Sequence, residues 1–398
     1  MKKFAVSTLI LAMSLALLTG CPGDQDDGTI TLVVWESLGG SADFVVEAGR
    51  RFTELHPHIT IQFVNVEIGG AASQMALDGP AGVGPDLFVA PHDALGELVV
   101  GGHIMPTSNP TMIRNRILAS AATAVTFNGI MYGYPISAET YALFYNRDLI
   151  SSAEVPRTFE DLITWSTAFN AANPGRHGFM FDVNTAYYTI IFTTAGGNRL
   201  FGPSGTDRHN SNINSPASVR GMEFFQRLRR EILDVPAGDM DTAFADAAFS
   251  SGHAAMHLTG PWNIMPFVNA GVNFGVTTIP SLPGETSPPA SFAGTRVMFV
   301  SAFSRNTEAA QMFGQFVTSP EMQQLRFDIT GAIPSIPMHI DSPFFPGFLA
   351  QLEYAFPMPS IPEMTQFWGA MGAASINIWN GADVQSQLDM ANTAMVGN

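Results

Sequence analysis

Tryptophan rings near the ends of predicted strands are the side chains of this sequence best suited to ligand binding. The chain has five tryptophans and seven tyrosines. Trp262 follows a Gly-Pro break after a predicted strand, where its ring can point into a crevice, and Trp368 stands beside Phe367. The C–H face of a sugar packs on an aromatic plane, and its hydroxyls donate hydrogen bonds to carboxylates. Rings near carboxylates therefore predict a carbohydrate site, although core packing is the alternative for any single ring, as we expect for Trp165.

Motifs for catalysis or cofactor binding are absent from the sequence, which has no HExxH, CxxC, GxSxG or GxxxxGK pattern. His253 and His257 stand four residues apart, but on the strand predicted there this spacing does not bring two ligands to one metal. The segment GPAGVGP (79–85) precedes a strand instead of opening a helix, so it does not predict a dinucleotide site. We expect no catalytic residue, no metal and no cofactor. A glycosidase pair stays open because carboxylates are numerous, but no local motif supports one.

Composition narrows the class of protein further. The 398 residues are 46% apolar with a single cysteine, which predicts two domains stabilised by hydrophobic cores and not by disulfides. The net charge of −16 repels phosphate backbones, so nucleic acid is not an expected partner. Lys2 and Lys3 are the only lysines, which excludes a P-loop lysine and a Schiff-base lysine elsewhere in the chain.

The single cysteine, Cys21, directly follows an apolar segment and precedes an acidic one. Lys2 and Lys3 are followed by an apolar run over 4–18 that is too short to span a bilayer and is typical of a signal peptide. Leu-Thr-Gly-Cys (18–21) resembles the lipobox of bacterial lipoproteins, in which the cysteine thiol accepts a lipid. We therefore expect a signal peptide over 1–20, lipidation at Cys21, an acidic tether over 21–28 and an extracytoplasmic, membrane-anchored protein. An ordinary secretory signal with an incidental cysteine is the alternative.

Alternating strand and helix patterns predict an α/β fold. Strands are expected at 29–35, 59–64 and 85–90, with a helix between Ser41 and Pro57 and another over 92–102. This alternation implies parallel strands. Further helices are expected after the capping residues Thr158, Ser215 and Ser319, and the pattern from 342 onward predicts helices. No Pro/Gly linker divides two halves, which indicates lobes that are interleaved in sequence.

Five stretches, taken together and in order, resemble the maltose/maltodextrin-binding proteins, members of the extracellular sugar-binding family of ABC importers. The stretches are GVGPDLFVAPHDALGELVVGGHIMP, NGIMYGYPISAETYALFYNRDLI, PRTFEDL, ADAAFSSGHAAMHLTGPW and MPSIPEMTQFWGAM. The resemblance implies the two-lobe periplasmic-binding-protein fold, class II-like, with a cleft and a hinge between the lobes. It implies one lobe from 29–137 and about 279–333, and the other from about 138–278 and 334–398.

The resemblance also implies a set of ligand-binding residues. Asp93 and Glu139 match the carboxylates that accept hydrogen bonds from sugar hydroxyls. Tyr187, Trp262 and Trp368 match stacking residues. Met358 matches a residue that lines the cleft, and Glu36 is added from its position after the first strand alone. The full expected set is Glu36, Asp93, Glu139, Tyr187, Trp262, Met358 and Trp368.

This chain departs from the family pattern at several positions that contact sugar in the maltose-binding proteins. Ala90 stands where a cleft tryptophan is expected and Ala94 where an arginine is expected. Gly39-Gly40 replaces an Asp-Lys pair, Thr185 replaces an acidic residue, and Gly372 replaces an arginine. The missing contacts make the class of ligand better supported than maltose itself.

The functional expectation is a monomeric, lipid-anchored solute-binding protein without enzymatic activity. It would bind an α-glucosidic oligosaccharide and deliver it to the permease of an ABC importer, in the periplasm or at the cell surface. Another sugar or a polyol in the same cleft is the first alternative. A secreted glycoside hydrolase and a purely structural surface lipoprotein are alternatives from other classes.

Overall fold

The computed structural model of the protein describes residues 28–397. The expected signal peptide over 1–20, Cys21 and all of the tether except Gly28 therefore lie outside the described residues. None of the helices within 28–397 is both long enough and apolar enough to cross a bilayer.

The strands form two main sheets, which are built from different parts of the chain. They are β1 (Ile30–Glu36), β2 (Ile59–Asn65), β3 (Leu87–Pro91), β4 (Thr126–Phe127), β5 (Ile130–Met131), β6 (Tyr134–Glu139), β7 (Ala142–Asn146), β8 (His177–Met180), β9 (Ala254–Thr259), β10 (Phe274–Thr277), β11 (Phe292–Val300) and β12 (Phe356–Pro357).

The helices cover both sheets, as expected for an α/β fold. They are α1 (Gly40–Leu55), α2 (Ala71–Asp78), α3 (Leu95–Val100), α4 (Pro110–Arg116), α5 (Ala119–Ala124), α6 (Phe159–Ala172), α7 (Ala186–Thr193), α8 (Pro216–Ile232), α9 (Thr242–Ser250), α10 (Ile264–Asn269), α11 (Thr307–Val317), α12 (Pro320–Thr330), α13 (Phe345–Leu352), α14 (Met364–Trp379) and α15 (Val384–Val396).

The first sheet has six strands in the order β12-β11-β3-β1-β2, with β6 also paired to β11. β1 is parallel to β2 and β3, whereas β11 runs antiparallel to both β3 and β6. β1, β3 and β6 therefore point the same way, and their carboxyl ends meet at one edge of the sheet. This sheet, its buried residues and the helices packed on it are called the first lobe below.

The second sheet has four strands in the order β10-β7-β9-β8. The chain enters it directly from β6 into β7 and returns to the first sheet between β10 and β11. A third crossing follows α12, where the amide of Ala138 donates to the carbonyl of Ile333 at 2.8 Å. This second sheet with its own core, including α7, α8, α14 and α15, is called the second lobe. The expected two-lobe α/β fold is confirmed, while the exact lobe boundaries stay a prediction.

Helix starts test the capping predictions. The side chains of Thr158, Ser215 and Ser319 each accept a backbone N–H three residues on, as expected. The prediction that Ser41 caps the first helix is wrong. The N-cap is Gly39, two residues earlier, and its φ of 76° is a positive value that glycine adopts without strain.

Three other expectations need correction. The segment 92–102 begins as a 3-10 turn over His92–Ala94 before α3 starts. The region after 342 is not wholly helical, because β12 pairs with the start of β11 in the first sheet. Trp165 is half-buried at the edge of the second core, where it stacks on Phe169 with ring centroids 4.9 Å apart. It lies one helical turn from Phe169, so the two rings share one side of α6.

Candidate ligand-binding site

Three carboxylates of the site come from the edge of the first sheet where strand carboxyl ends converge. Glu36 ends β1, Asp93 lies in the 3-10 turn that follows β3, and Glu139 ends β6. In α/β folds this edge is where ligands bind, because side chains from neighbouring strands meet there. The sequence-predicted carboxylates are therefore brought to one place.

The aromatic residues approach the same place from the second lobe. Trp262 lies in the 3-10 turn just after β9, and Tyr187 lies in the first turn of α7. The centroid of the Tyr187 ring is 6.1 Å from Trp262 and 6.2 Å from Phe292. Phe292 is fully buried and lies 5.9 Å from Trp368, so it connects the three expected stacking residues into one cluster.

One hydrogen bond joins the two lobes through this cluster. The indole Nε1 of Trp368, on α14, donates to Oδ2 of Asp93 at 2.9 Å. The second oxygen, Oδ1 of Asp93, is buried and has no hydrogen-bond partner in the described part of the chain. Burial raises the pKa of Asp93 to about 6, against the opposing effect of the Trp368 hydrogen bond.

The hydroxyl of Tyr187 is a second unpartnered polar atom at this site. It is buried and makes no hydrogen bond within residues 28–397. Burial raises the pKa of Tyr187 well above its ordinary value, and the nearby negative charge of Glu139 acts in the same direction. The phenol is therefore neutral and keeps a proton to donate. Buried polar atoms normally have partners, so Asp93 Oδ1 and this hydroxyl mark positions that suit a polar ligand.

Glu36 differs from the other predicted site residues because it is fully buried and already paired. Arg296 on β11 binds both of its oxygens, through Nη2 to Oε1 and through Nε to Oε2 at 3.2 Å. The backbone amide of Ser37 also donates to Glu36 at 2.7 Å. In this conformation Glu36 holds Arg296, and the prediction that it contacts a ligand stays untested.

Arg296 is the main residue of this region that sequence reasoning missed. Its guanidinium is largely buried, and Nη1 lies 3.6 Å from Oε1 of Glu139. The available signal was an arginine inside the otherwise apolar segment TRVMFV, because a buried charge needs a partner.

His92 is the second residue that sequence reasoning missed. Its Nε2 lies 3.1 Å from the carbonyl of Met358, and its Nδ1 accepts the amide of Thr295 at 3.1 Å. Burial lowers the pKa of His92 to about 4, so the ring is neutral and donates from Nε2. Met358, an expected cleft residue, is buried, and His92 fixes its backbone against the first sheet.

The departures from the family pattern have local structural roles. Ala90 is fully buried within β3, opposite Val297 of β11. A side chain at Gly40 would lie 3.3 Å from the carbonyl of Ile329 on α12. Thr185 caps α7 by accepting the amide of Tyr187 at 3.3 Å. These positions therefore serve packing and capping where the family has polar or aromatic contacts.

Two further features of the structure lie outside this cluster. A surface cavity of about 590 Å³ is lined by α8 and by the segment 282–285, and it includes none of the predicted site residues. His257 is buried and binds Asp246 at 2.8 Å, whereas His253 lies on the surface beside Ser251. Within residues 28–397, no group of three or more His, Cys, Asp or Glu side chains is arranged to hold a metal ion.

Residues 47–346 match the family described as bacterial extracellular solute-binding proteins. Since this match covers most of the sequence, the chain belongs to that family. The predicted resemblance is thereby confirmed at the level of the family.

Known relatives cover nearly the whole chain. The galactooligosaccharide-binding protein of Bacillus subtilis (strain 168) is 29% identical over 98% of this chain and 96% of its own. A maltooligosaccharide ABC transporter solute-binding lipoprotein of Streptococcus pneumoniae (strain ATCC BAA-255 / R6) is 26% identical, over 92% of this chain and 90% of its own. A crystal structure of a cyclo/maltodextrin-binding protein complexed with maltotetraose is 32% identical and covers 92% of this chain and 96% of its own, with a TM-score of 0.75. These relatives are named as binding proteins and not as enzymes.

Proposed function

We propose that this protein binds a neutral oligosaccharide between its two lobes and delivers it to the permease of an ABC importer. The observation that carries the proposal is the hydrogen bond between Trp368 and Asp93, which joins the lobes beside two buried, unpartnered polar atoms. Asp93 Oδ1 can accept a hydroxyl proton, and the Tyr187 hydroxyl can donate or accept one. Both lie within a cluster of aromatic rings, the surroundings that a sugar ring prefers.

Charge pairing in the cleft favours a neutral ligand over an ionic one. Glu36 is paired with Arg296, and Glu139 lies 3.6 Å from the same guanidinium. Arg326, a second buried arginine, lies 4.0 Å from Glu36. The two glutamates and two arginines cancel, which leaves Asp93 as the one unbalanced charge among these groups, and a negative charge there repels anionic ligands. Hydroxyls suit such a surface better than phosphates or carboxylates do.

An α-glucosidic oligosaccharide of the maltodextrin type is the leading ligand. Support comes from the retained positions Asp93, Glu139, Tyr187, Trp262 and Trp368, and from relatives that are named for maltooligosaccharide and maltodextrin.

A galactooligosaccharide is the second candidate, and two observations favour it. One relative at 29% identity is named for that ligand. The ring expected at Ala90 is also missing, so one stacking surface of the maltose-binding pattern is lost. A change of stacking surface changes which ring faces can bind, and it can therefore shift selectivity between sugars.

The anchoring and delivery steps extend the proposal beyond the described residues. Cys21 would carry the lipid after removal of residues 1–20, which would keep the protein outside the cytoplasm at a membrane surface. A relative named as a lipoprotein of an ABC transporter supports this part of the proposal. The cleft would bind sugar without cleaving it, and ligand-stabilised closure would signal the loaded state to the permease.

Melting temperatures measured with a panel of sugars test the proposal. The panel contains maltose, maltotriose, maltotetraose, galactobiose, galactotriose, cellobiose, xylotriose and glycerol phosphate. A ligand at 100 times its Kd should stabilise the protein by roughly 2.7 kcal/mol. A shift with α-glucosides supports the leading ligand, and a shift only with galactosides supports the second. Product formation in the same mixtures would contradict a binding role, and no shift with any sugar would contradict the proposal as a whole.

A further inference from the structure

Arg296 occupies an unusual position for a charged residue, in the interior of the first sheet. Its backbone pairs with Pro91 of β3 on one side and with Ser137 of β6 on the other. The pairing with β6 changes register between Arg296 and Val297. Such irregularities re-aim a side chain and recur beside functional sites.

The guanidinium of Arg296 connects two carboxylates of different exposure. Nε and Nη2 hold Glu36, whose side chain is 0% exposed, while Nη1 faces Glu139, whose side chain is 18% exposed. The donors of a guanidinium lie in a rigid plane. Because one edge of that plane is fixed on Glu36, the direction of Nη1 toward Glu139 is fixed as well.

The charges around Arg296 leave one positive charge available for Glu139. Burial would lower the pKa of Arg296, but Glu36 and Glu139 raise it above its ordinary value. Burial and repulsion by Arg296 lower the pKa of Arg326 to about 10, so it is also charged at neutral pH. Two cations therefore flank the single anion of Glu36, and the excess charge attracts the carboxylate of Glu139.

We propose that Arg296 is a positioning residue for oligosaccharide binding, which acts by fixing the carboxylate of Glu139 where ligand hydroxyls reach it. This inference rests on the function proposed above. Glu139 contacts the ligand, and Arg296, held by Glu36, does not need to. Without the guanidinium, Glu139 would keep only the 3.4 Å hydrogen bond from the hydroxyl of Ser137, and Arg326 would be the remaining cation that acts on it.

Calorimetric titration of the purified protein with maltotriose and with galactotriose tests this role. Arg296→Met and Glu139→Gln should each weaken binding of the recognised sugar by about tenfold or more. The double variant should bind no more weakly than Glu139→Gln alone, because Arg296 acts only through that carboxylate. Arg296→Lys keeps the charge but loses the planar fork, so its affinity should lie between those of wild type and Arg296→Met. Losses that multiply in the double variant would overturn the proposal.

A charge-balanced variant separates positioning from folding. Arg296→Met alone leaves Glu36 buried beside a single arginine, whereas Glu36→Gln with Arg296→Met removes both charges of the ion pair and leaves only Arg326. The double variant should unfold cooperatively and still bind sugar about tenfold more weakly than wild type. Arg116→Met is the matched control, since Arg116 is half-buried and binds the carbonyl of Gln315 far from the cleft. Its affinity should equal that of wild type.

The outcomes for the two proposals differ. If the wild-type protein binds a sugar and both Arg296→Met variants bind it equally well, only the role of Arg296 is wrong. If the wild-type protein binds no oligosaccharide, the proposed function and the role of Arg296 are both wrong.

Discussion

The two lobes contribute different chemistry to the candidate site. The first lobe supplies charged groups on strand ends, with Glu36 fixed by Arg296 inside the sheet. The second lobe supplies rings on turns and helices, and Tyr187 and Trp262 lie close together there. Trp368 is the aromatic residue that forms a hydrogen bond across the cleft, to Asp93.

The division of chemistry between the lobes explains how a cleft can be both rigid and able to close. Strand ends in a sheet hold polar groups at fixed distances, which favours directional hydrogen bonds. Rings on a separate lobe can move as a unit and cover the ligand without losing their own packing. A sugar that needs both kinds of contact is bound fully only when the lobes approach each other, so binding and closure are coupled.

The first lobe should lose stability when the buried ion pair between Glu36 and Arg296 is broken. Glu36→Gln would leave Arg296 and Arg326 buried without their carboxylate, and we expect a loss of roughly 3–5 kcal/mol in the free energy of unfolding. Urea denaturation at neutral pH measures this loss. The control is Glu54→Gln, which removes an exposed ion pair with Arg50 on α1 and should leave the midpoint unchanged. Equal midpoints for the two variants would show that the buried pair does not stabilise the first lobe.

The pH dependence of stability should report the burial of Asp93 between the lobes. Its pKa is about 6 in the folded protein, above the ordinary value of 3.8, so the folded state binds this proton more tightly than the unfolded state does. The resulting stabilisation is fully present below about pH 4 and is lost as the pH rises through 6. Relative to Asp93→Asn, the wild-type protein should gain roughly 2–3 kcal/mol between pH 8 and pH 4.

Urea unfolding of both proteins at pH 8, 6 and 4, without sugar, makes this measurement. The Asn variant carries the same other titrating groups, so their contributions cancel in the difference. Curves that run parallel over this range would mean that Asp93 is solvated and that the lobes do not enclose it.

The contribution of the second lobe's rings to sugar binding can be tested with two tryptophans in different environments. Trp262→Ala removes a ring beside Tyr187, and we expect sugar affinity to fall by about tenfold to thirtyfold, because a stacking face is lost. Trp165→Ala is the matched control, since that half-buried ring stacks on Phe169 at the edge of the second core. Titration calorimetry should show unchanged affinity for the control, and equal losses in both variants would contradict a binding role for Trp262.

The first lobe's part of the site was largely predictable from sequence. A β-branched run followed by a helical pattern indicates parallel strands, and the carboxyl ends of parallel strands meet at one edge. Glu36 was expected from its position after the first strand, whereas Asp93 and Glu139 were expected from the family resemblance. The structure places all three at or just after such strand ends. The predicted caps at Thr158 and Ser319 were confirmed for the same reason, because capping depends on neighbouring residues only.

Contacts between distant segments were not predictable in this way. Glu36 and Arg296 are 260 positions apart, and Asp93 and Trp368 are 275 apart. Each pairing depends on how strands cross between the lobes and on the irregular register at Arg296, which no local pattern specifies. The burial of Glu36, and hence its ion-pairing instead of an open position in the cleft, could be seen only once β11 was placed beside β3.

The smallest expected effect concerns a second hydrogen bond from α14 to the first lobe. The hydroxyl of Thr365, one turn before Trp368 on α14, donates to Oε2 of Glu97 on α3 at 2.6 Å. Thr365 is exposed, so water replaces this bond when it is lost. We expect Thr365→Val to weaken sugar binding by at most about twofold to threefold, because an exposed hydrogen bond contributes little beyond its exchange with water.

Comparison with Trp368→Phe sharpens this test. That variant keeps a ring but removes the indole donor to the buried carboxylate of Asp93, which water reaches less easily than it reaches Thr365. Its affinity should fall by about tenfold while that of Thr365→Val changes little, although both variants remove one contact between α14 and the first lobe. If calorimetry found equal losses, closure would depend on the number of contacts across the cleft, and burial of the polar pair would have no special part in it.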